Sequence, residues 1–561
     1  MAKAAIFGGL AAILVVAVVV AVVATVTTSH KSSGGPNLAS SLKSGSALCA
    51  NTLYPETCKK TLSTVVNSSS NPKEVVKASL EVALGELKES YQKALEIGKG
   101  VNDSISTGAI ANCKELLQDA SDDLQAIVKL GNDAVNRQDD LEHWITAVMT
   151  FMDNCADGFE DEELKKAMQS VLQKSTEMSS NALAIITAVG NFLKEAGQLF
   201  NTTTTNLKEV ANFQHRRLLT YDQDAEGYPT WMSVGDRKLL ATGAPAKPNV
   251  VVAKDGSGNF NSIQATIDAI PKERTGRYVI YVKAGVYDEI VLIPKGVSNI
   301  YMYGDGPKKT KVQGHKSNHD GLTTQDTATF SVLGAGFICK NMGFFNTAGA
   351  EKHQAVALRL QSDFAAFYNC RMDGYQDTLY VQARRQFFRN CVVSGTIDFI
   401  FGNAAAVLQN CLIIVRRPLD NQQNTVTAHG RTDPNMKSGL VIQNCRIVPE
   451  KAMFADRFKI PNYLARPWKM YSRTVIMEST IGDFIRPEGY LPWDGDFALK
   501  TLYYAEYANR GPGAVTKGRV KWPGFHVIGR KEAEQFTTQN FINGHLWLKY
   551  TGTPHFLGFK P

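Results

Sequence analysis

The chain reads as an all-β right-handed parallel β-helix, preceded by an all-α four-helix bundle and an apolar N-terminal helix. A repeat predicts the first part. Asn-Cys pairs recur at Asn369, Asn390, Asn410 and Asn444, and Lys340-Asn341 is an earlier relative without the Cys. Their gaps of 21, 20 and 34 residues suit coils of roughly 20 residues with one longer loop; propeller blades of about 40–45 residues do not fit. Interior Asn and Cys of such coils would stack into ladders. Apolar stripes at helical spacing predict the bundle, and an uncharged run from Ala4 to Val26 predicts the N-terminal helix. A chain of 561 residues is too long for one core, so separate domains are expected.

Residues 1–28 hold the uncharged run, 23 residues long, with Lys3 before it. It is long enough to span a bilayer, and the basic residue would keep the N-terminus cytoplasmic. It reads as a signal peptide or a signal-anchor, with small residues at Ala21, Ala24 and Thr27 but no single cleavage site standing out. Everything downstream would be lumenal or extracellular, and this helix would be the only membrane contact. Residues 29–46 are a Ser/Gly/Pro linker.

Residues 47–210 carry four stripes. The first, after Asn71-Pro72, runs through Val75, Val76, Leu80, Leu84 and Leu87, with Pro suited to a first helical turn. The others run from Leu116 to Val128, from Leu141 to Met152, and from Leu183 to Leu193. They imply an antiparallel bundle with solvated charged faces and nothing catalytic. Residues 211–247 form a polar linker with two basic clusters of one form, Arg216-Arg217-Leu218-Leu219 and Arg237-Lys238-Leu239-Leu240. Their repetition just before a new domain marks them for proteolytic processing. Residues 248–561 are Gly-rich with short strands, as at Tyr278 to Val282, and carry the Asn-Cys repeats.

Charge divides along the same line. From Ala241 onward 39 Lys and Arg face 25 Asp and Glu, a net of +14, while the preceding part carries −6. Such opposite halves suit different partners, or each other. Nine Cys, none in a CxxC pair, suit an oxidising compartment and argue against a zinc site. Sequons at Asn67, Asn102 and Asn201 all precede Ala241 and predict a separately exposed, glycosylated half.

The chemistry is carried by Asp377 and Asp398, which follow the Cys of two successive repeats by seven residues each and so lie 21 apart. Coils about 4.8 Å apart would place one carboxylate over the other. Like charges at that range push their pKa values apart, as acid/base and nucleophilic chemistry requires.

Four segments then resemble a known family. His353-Gln354-Ala355-Val356-Ala357-Leu358-Arg359, Gly374-Tyr375-Gln376-Asp377-Thr378-Leu379-Tyr380, Gly395-Thr396-Ile397-Asp398-Phe399-Ile400-Phe401-Gly402-Asn403 and Arg466-Pro467-Trp468 look like the signature segments of plant pectin methylesterases, in the right order. The N-terminal bundle resembles the pectin methylesterase inhibitor domain that many of these enzymes carry as a pro-region. The resemblance implies a secreted cell-wall hydrolase, a pectinesterase acting on methylated homogalacturonan with no cofactor, no metal and no nucleic acid. It implies Asp398 as nucleophile, Asp377 as general acid and then base, and Gln376 as transition-state stabiliser. Thr324, Gln354, Arg466 and Trp468 would contact substrate. Disulfides Cys391–Cys411, Cys49–Cys58 and Cys113–Cys155 are implied too, as is a subtilisin-like protease acting at the basic clusters. Gln325, where the family is usually aromatic, and Ala465, where Gly commonly stands, depart from the pattern.

The residues make sense of the reaction by themselves. A Gln amide stabilises an oxyanion without neutralising neighbouring carboxylates, and the planar fork of Arg466 can hold Asp398 ionised and oriented or bind a substrate carboxylate. Trp468, two residues beyond Arg466 and expected on the same strand face, offers a flat surface to a sugar; Tyr380 and Trp493 are further cleft aromatics. A retaining glycoside hydrolase with carboxylates about 5 Å apart is the rival reading. A calcium-dependent lyase would need an acidic cluster that is not apparent, and a carbohydrate-binding or inhibitor protein would need neither Asp.

Overall fold

The computed structural model describes residues 48–66, 72–101, 103–131, 137–203, 247–274 and 276–560. The N-terminal apolar run, the processing linker, Asn67 and Asn102 lie outside the described residues, as does the side chain of Asn201. Among the described residues no helix is long and apolar enough to cross a membrane.

A short helix α1 (Pro55–Leu62) leads into four long ones, α2 (Pro72–Ile97), α3 (Ser104–Lys129), α4 (Gln138–Asp157) and α5 (Glu162–Thr203). Pro72 opens α2, where a missing N–H costs nothing. Asp103 caps α3 by accepting the Ser106 N–H at 2.8 Å. The four apolar stripes meet in one core that includes Leu80, Leu117, Ile145 and Leu183. Cys49–Cys58 and Cys113–Cys155 are bonded, the pairing that the family resemblance implied.

From Val250 onward the chain winds into a right-handed parallel β-helix. Three parallel sheets of eleven, eight and seven strands form its walls. Their inward residues make a single core in which Phe337, Phe367 and Phe388 stack from coil to coil. The outer face of the eleven-stranded sheet is covered by the C-terminal segment, where Phe541, Ile542, Trp547 and Leu548 pack on Ala366, Phe387, Val407 and Val441. No sequence signal had pointed to that cover.

The repeat residues are placed differently from the expectation of interior ladders. The Cys do point inward and are buried, but Asn369 and Asn390 are exposed and the other Asn half-buried. All sit at outer corners with φ between +51° and +61°, a left-handed conformation that Asn tolerates better than most residues. The Asn369 amide donates to Asn341 Oδ1 at 2.7 Å across coils. Cys391 and Cys411, expected to be bonded, are buried free thiols. Val392 and Leu412 next to them pair in register, so the two Cys stand one above the other in adjacent coils, part of an inward column of thiols.

A second correction concerns the bundle's charged face, which is not left to solvent. Arg385 of the β-helix, 1% exposed at its side chain, binds Asp140 of α4 at 2.7 Å and Asp363 beneath it at 2.7 Å. Asp363 also accepts from Trp144 Nε1 at 3.0 Å. Burial opposes the charge of Asp363, but Arg385 outweighs it and holds the carboxyl below its ordinary range. Lys295 reaches Asp119 and Asp123 at 3.1 Å each, Arg384 pairs with Asp123, and Lys469 binds Asp157 at 2.6 Å. The acidic bundle is thus seated on basic side chains of the β-helix.

If the left-handed corner is what selects Asn, Asn369→Val should lower the unfolding free energy by about 1–3 kcal/mol, and Asn369→Gly by much less. Urea titration followed by fluorescence separates the two. Equal losses would mean that the hydrogen bond to Asn341, and not the backbone, holds the corner.

Candidate active site

The corner between the eight- and seven-stranded sheets carries the two aspartates. Asp373 pairs with Ser394 before the corner and Leu379 with Ile400 after it, an offset of 21 on both sides. Asp377 and Asp398 are therefore neighbours in adjacent coils, linked by the Asp377 N–H donating to Ile397 O at 3.1 Å. Each has a left-handed backbone, φ +62° and +50°, which aims the side chain out of the corner over the seven-stranded sheet. They are 7% and 5% exposed.

On that sheet a second column runs through Arg359, Tyr380, Phe401, Ala428 and Arg466. Tyr380 and Phe401 stack with ring centres 4.3 Å apart. Ala428 is short, so Arg466 can lie back across it toward Asp398. Arg466 Nε meets both carboxylate oxygens at 2.9 and 3.0 Å, and Trp493 stacks on the guanidinium 4.4 Å away.

The carboxylates thus stand in different surroundings. Asp398 is ion-paired with Arg466 and accepts the Thr425 hydroxyl. Asp377 has no such cation. Burial first, and then the neighbouring charge of Asp398, push its carboxyl well above the ordinary range, with Arg466 only partly opposing.

Gln354 and Gln376 lie in neighbouring coils, joined by the Ala355 N–H to Gln376 O at 3.2 Å. Both line the same cavity as the aspartates, together with Thr324, Arg466 and Trp468. Neither Gln side-chain amide bonds to another described residue, so each is available to a ligand. Trp468 reaches the cavity by a different route from the expected strand face. The strand Asn462–Arg466 ends before Pro467, which has no N–H to continue a ladder, and Trp468 folds over Gly430 to meet Phe401 edge-on at 6.2 Å.

Two features escaped the sequence reading, and a third gives residues to the pairing of the two halves that their opposite charge suggested. Phe401 stood only as part of a motif. Thr425 follows Asp398 by 27 residues, because a long loop breaks the 21-residue rhythm. The third is the roof. The cavity, of about 600 Å³, is closed on one side by Asn112, Asn154, Asp157, Phe159 and Glu160 of the bundle. Gln325, the odd residue beside Thr324, donates to Asn112 Oδ1 at 3.1 Å, while Asn112 donates to Thr323 and Asp326 at 2.9 and 2.7 Å.

Comparison with known proteins matches both halves. The pectinesterase family profile covers residues 249–545. The chain belongs to the pectinesterase family. The profile of plant invertase/pectin methylesterase inhibitors covers residues 43–185. Across both halves the chain is 43% identical to "Probable pectinesterase/pectinesterase inhibitor 58" of Arabidopsis thaliana over 526 residues, 92% of this chain and 90% of that protein. It is 43% identical to "Pectinesterase 3" of Citrus sinensis, covering 91% and 88%. Among solved structures it is similar to a pectin methylesterase from carrot, with 53% identity and a TM-score of 0.56, over 56% of this chain and 99% of that one. Family membership thus agrees with the arrangement of carboxylates, amides and aromatics just described.

Because the folded chain holds Asp377 protonated more firmly than the unfolded chain does, its contribution to stability is fully present below the usual carboxylate range, about pH 4. It is lost as pH rises through the raised folded value. Asp377→Asn should therefore leave the thermal unfolding midpoint unchanged near about pH 4 and raise it progressively at higher pH. A midpoint difference that does not vary with pH would show that the carboxyl is not held protonated.

Proposed function

We propose that the chain is a pectin methylesterase, hydrolysing methyl esters of homogalacturonan to carboxylates and methanol. The observation that carries this reading is the unequal pair, one carboxylate ion-paired with Arg466 and its neighbour, about one strand spacing away, with its carboxyl pushed well above the ordinary range by burial and by that neighbour. An oxygen of Asp398 attacks the ester carbon, and the oxyanion that forms is met by the free amides of Gln354 and Gln376. The C–O bond to methoxide breaks as Asp377 delivers its proton, releasing methanol and leaving an Asp398 anhydride. A water attacks the acyl carbon, gives its proton to Asp377, and returns Asp398 as carboxylate. Tyr380, Phe401 and Trp468 offer apolar faces to sugar rings.

A glycosidase would also use two carboxylates at this range, but the free amides suit a carbonyl oxyanion better than an oxocarbenium ion. Given methylated pectin, the active enzyme should release methanol without new reducing or unsaturated ends, and Asp398→Ala should abolish the release. Chain scission without methanol would sink the esterase reading.

The bundle, in this reading, is an inhibitory pro-region, and its support is the roof that it forms over the cleft. The chain would be secreted to the cell wall, by way of a membrane-inserted precursor if the N-terminal helix is retained, and a subtilisin-like protease would cut at Arg216 or Arg237 to free the enzyme. The joint is pH-sensitive. Burial pushes Asp153 of α4 up to about 7, against the Thr432 hydroxyl and Lys469 and helped by Asp157 and Asp433. The contribution of Asp153 to docking is fully present below the usual carboxylate range and is lost as pH rises through about 7, whereas His143, whose pKa burial and then Arg385 push down, favours docking at higher pH. Uncleaved chain should therefore gain activity relative to cleaved enzyme across that range, and Asp153→Asn should flatten the gain. A constant ratio would dismiss the switch.

A further inference from the structure

We infer that Thr425 is a positioning residue for the nucleophile, holding the Asp398 carboxylate in the orientation that presents one oxygen to the ester. This rests on Asp398 acting as nucleophile. Ile400 pairs with Thr427, so Thr425 stands directly beyond Asp398 in the next coil, on the side away from Asp377. Three successive coils thus place Asp377, Asp398 and Thr425 in one column. Thr425 is fully buried, so its hydroxyl is not shared with solvent.

That single hydroxyl binds Asp398 twice. It accepts the Asp398 backbone N–H at 2.9 Å and donates its proton to Oδ1 at 2.5 Å. In the preceding coil the equivalent N–H, that of Asp377, goes to a backbone carbonyl, Ile397 O. Thr425 replaces the carbonyl with a group that can also donate, so the corner that fixes the Asp398 backbone also fixes its carboxylate. Arg466 grips both oxygens through one guanidinium at the end of a long side chain. The Thr425 hydroxyl adds a hold at Oδ1 from the neighbouring coil and is itself tied to the Asp398 main-chain N–H, so the carboxylate is oriented against its own backbone. The donor is neutral, so it orients the anion without adding a second cation that would blunt it. Small displacements of a nucleophile are expensive, with about 1 Å of misplacement worth on the order of 10²-fold in rate.

The test compares T425V, T425A and T425S with wild-type and D398A, all in the form that de-esterifies pectin. Methanol release is measured at saturating and sub-saturating methylated oligogalacturonide. T425V and T425A should lose on the order of 10²-fold in kcat with KM unchanged, and T425S, which restores the hydroxyl, should recover most of it. Serine also guards against a variant that fails to fold, since it keeps both hydrogen bonds. Wild-type kcat in T425A, a loss confined to KM, or a T425S defect as deep as that of T425A would overturn the positioning role. Activity retained in D398A would overturn the nucleophile assignment instead, a failure that the Thr425 variants do not produce.

Discussion

Each coil of the β-helix is tied to the next by backbone hydrogen bonds, so every residue has a fixed neighbour about 4.8 Å above and below it. Whatever stands at one corner in one coil is therefore held against whatever stands at that corner in the next. Most such columns are put to structural use, as in the Phe367–Phe388 stack and the Asn corners. One column brings Asp377, Asp398 and Thr425 together, and there the same spacing becomes a chemical constraint. Two carboxylates this close cannot both be anions at low cost.

How that conflict is resolved depends on the adjacent column. Ala428 is small enough to let Arg466 cross it, and Arg466 then ion-pairs with Asp398 and acts on Asp377 only through space. Burial and the neighbouring anion leave Asp377 the cheaper site for a proton. In the proposed mechanism, the division of labour between nucleophile and acid follows from which aspartate an arginine can reach.

The bundle answers a different problem. Its core is built from its own apolar stripes, with Ala383 and Met436 of the β-helix packed into it, and its acidic face is matched to the basic half at Arg385, Arg384, Lys295 and Lys469. Such buried pairs lose much of their Coulomb gain to desolvation, so they favour register more securely than they favour affinity. That balance suits a partner that docks in one orientation and can be released. Gln325 fits the same logic, since its amide serves the bundle's Asn112 where an aromatic would serve a sugar.

Periodicity made the architecture legible before any coordinates, because a 20-residue repeat and a 3.6-residue stripe each reflect one backbone geometry. Asp377 and Asp398 were legible for the same reason, being separated by one unbroken repeat. Thr425 was not, since a loop of variable length intervenes and the register that brings it to Asp398 exists only once strands pair. Cys391 and Cys411 show the converse: the family resemblance implied a bond, and in the folded chain they lie in adjacent coils as free thiols. The sequence by itself determined the two domains, the paired carboxylates and the opposed charges of the halves. The tertiary structure alone decided that Arg466 reaches Asp398 by crossing Ala428, that the Thr425 hydroxyl meets the same carboxylate, and which residues of the bundle line the cleft, because each of those depends on contacts between residues that no local pattern relates.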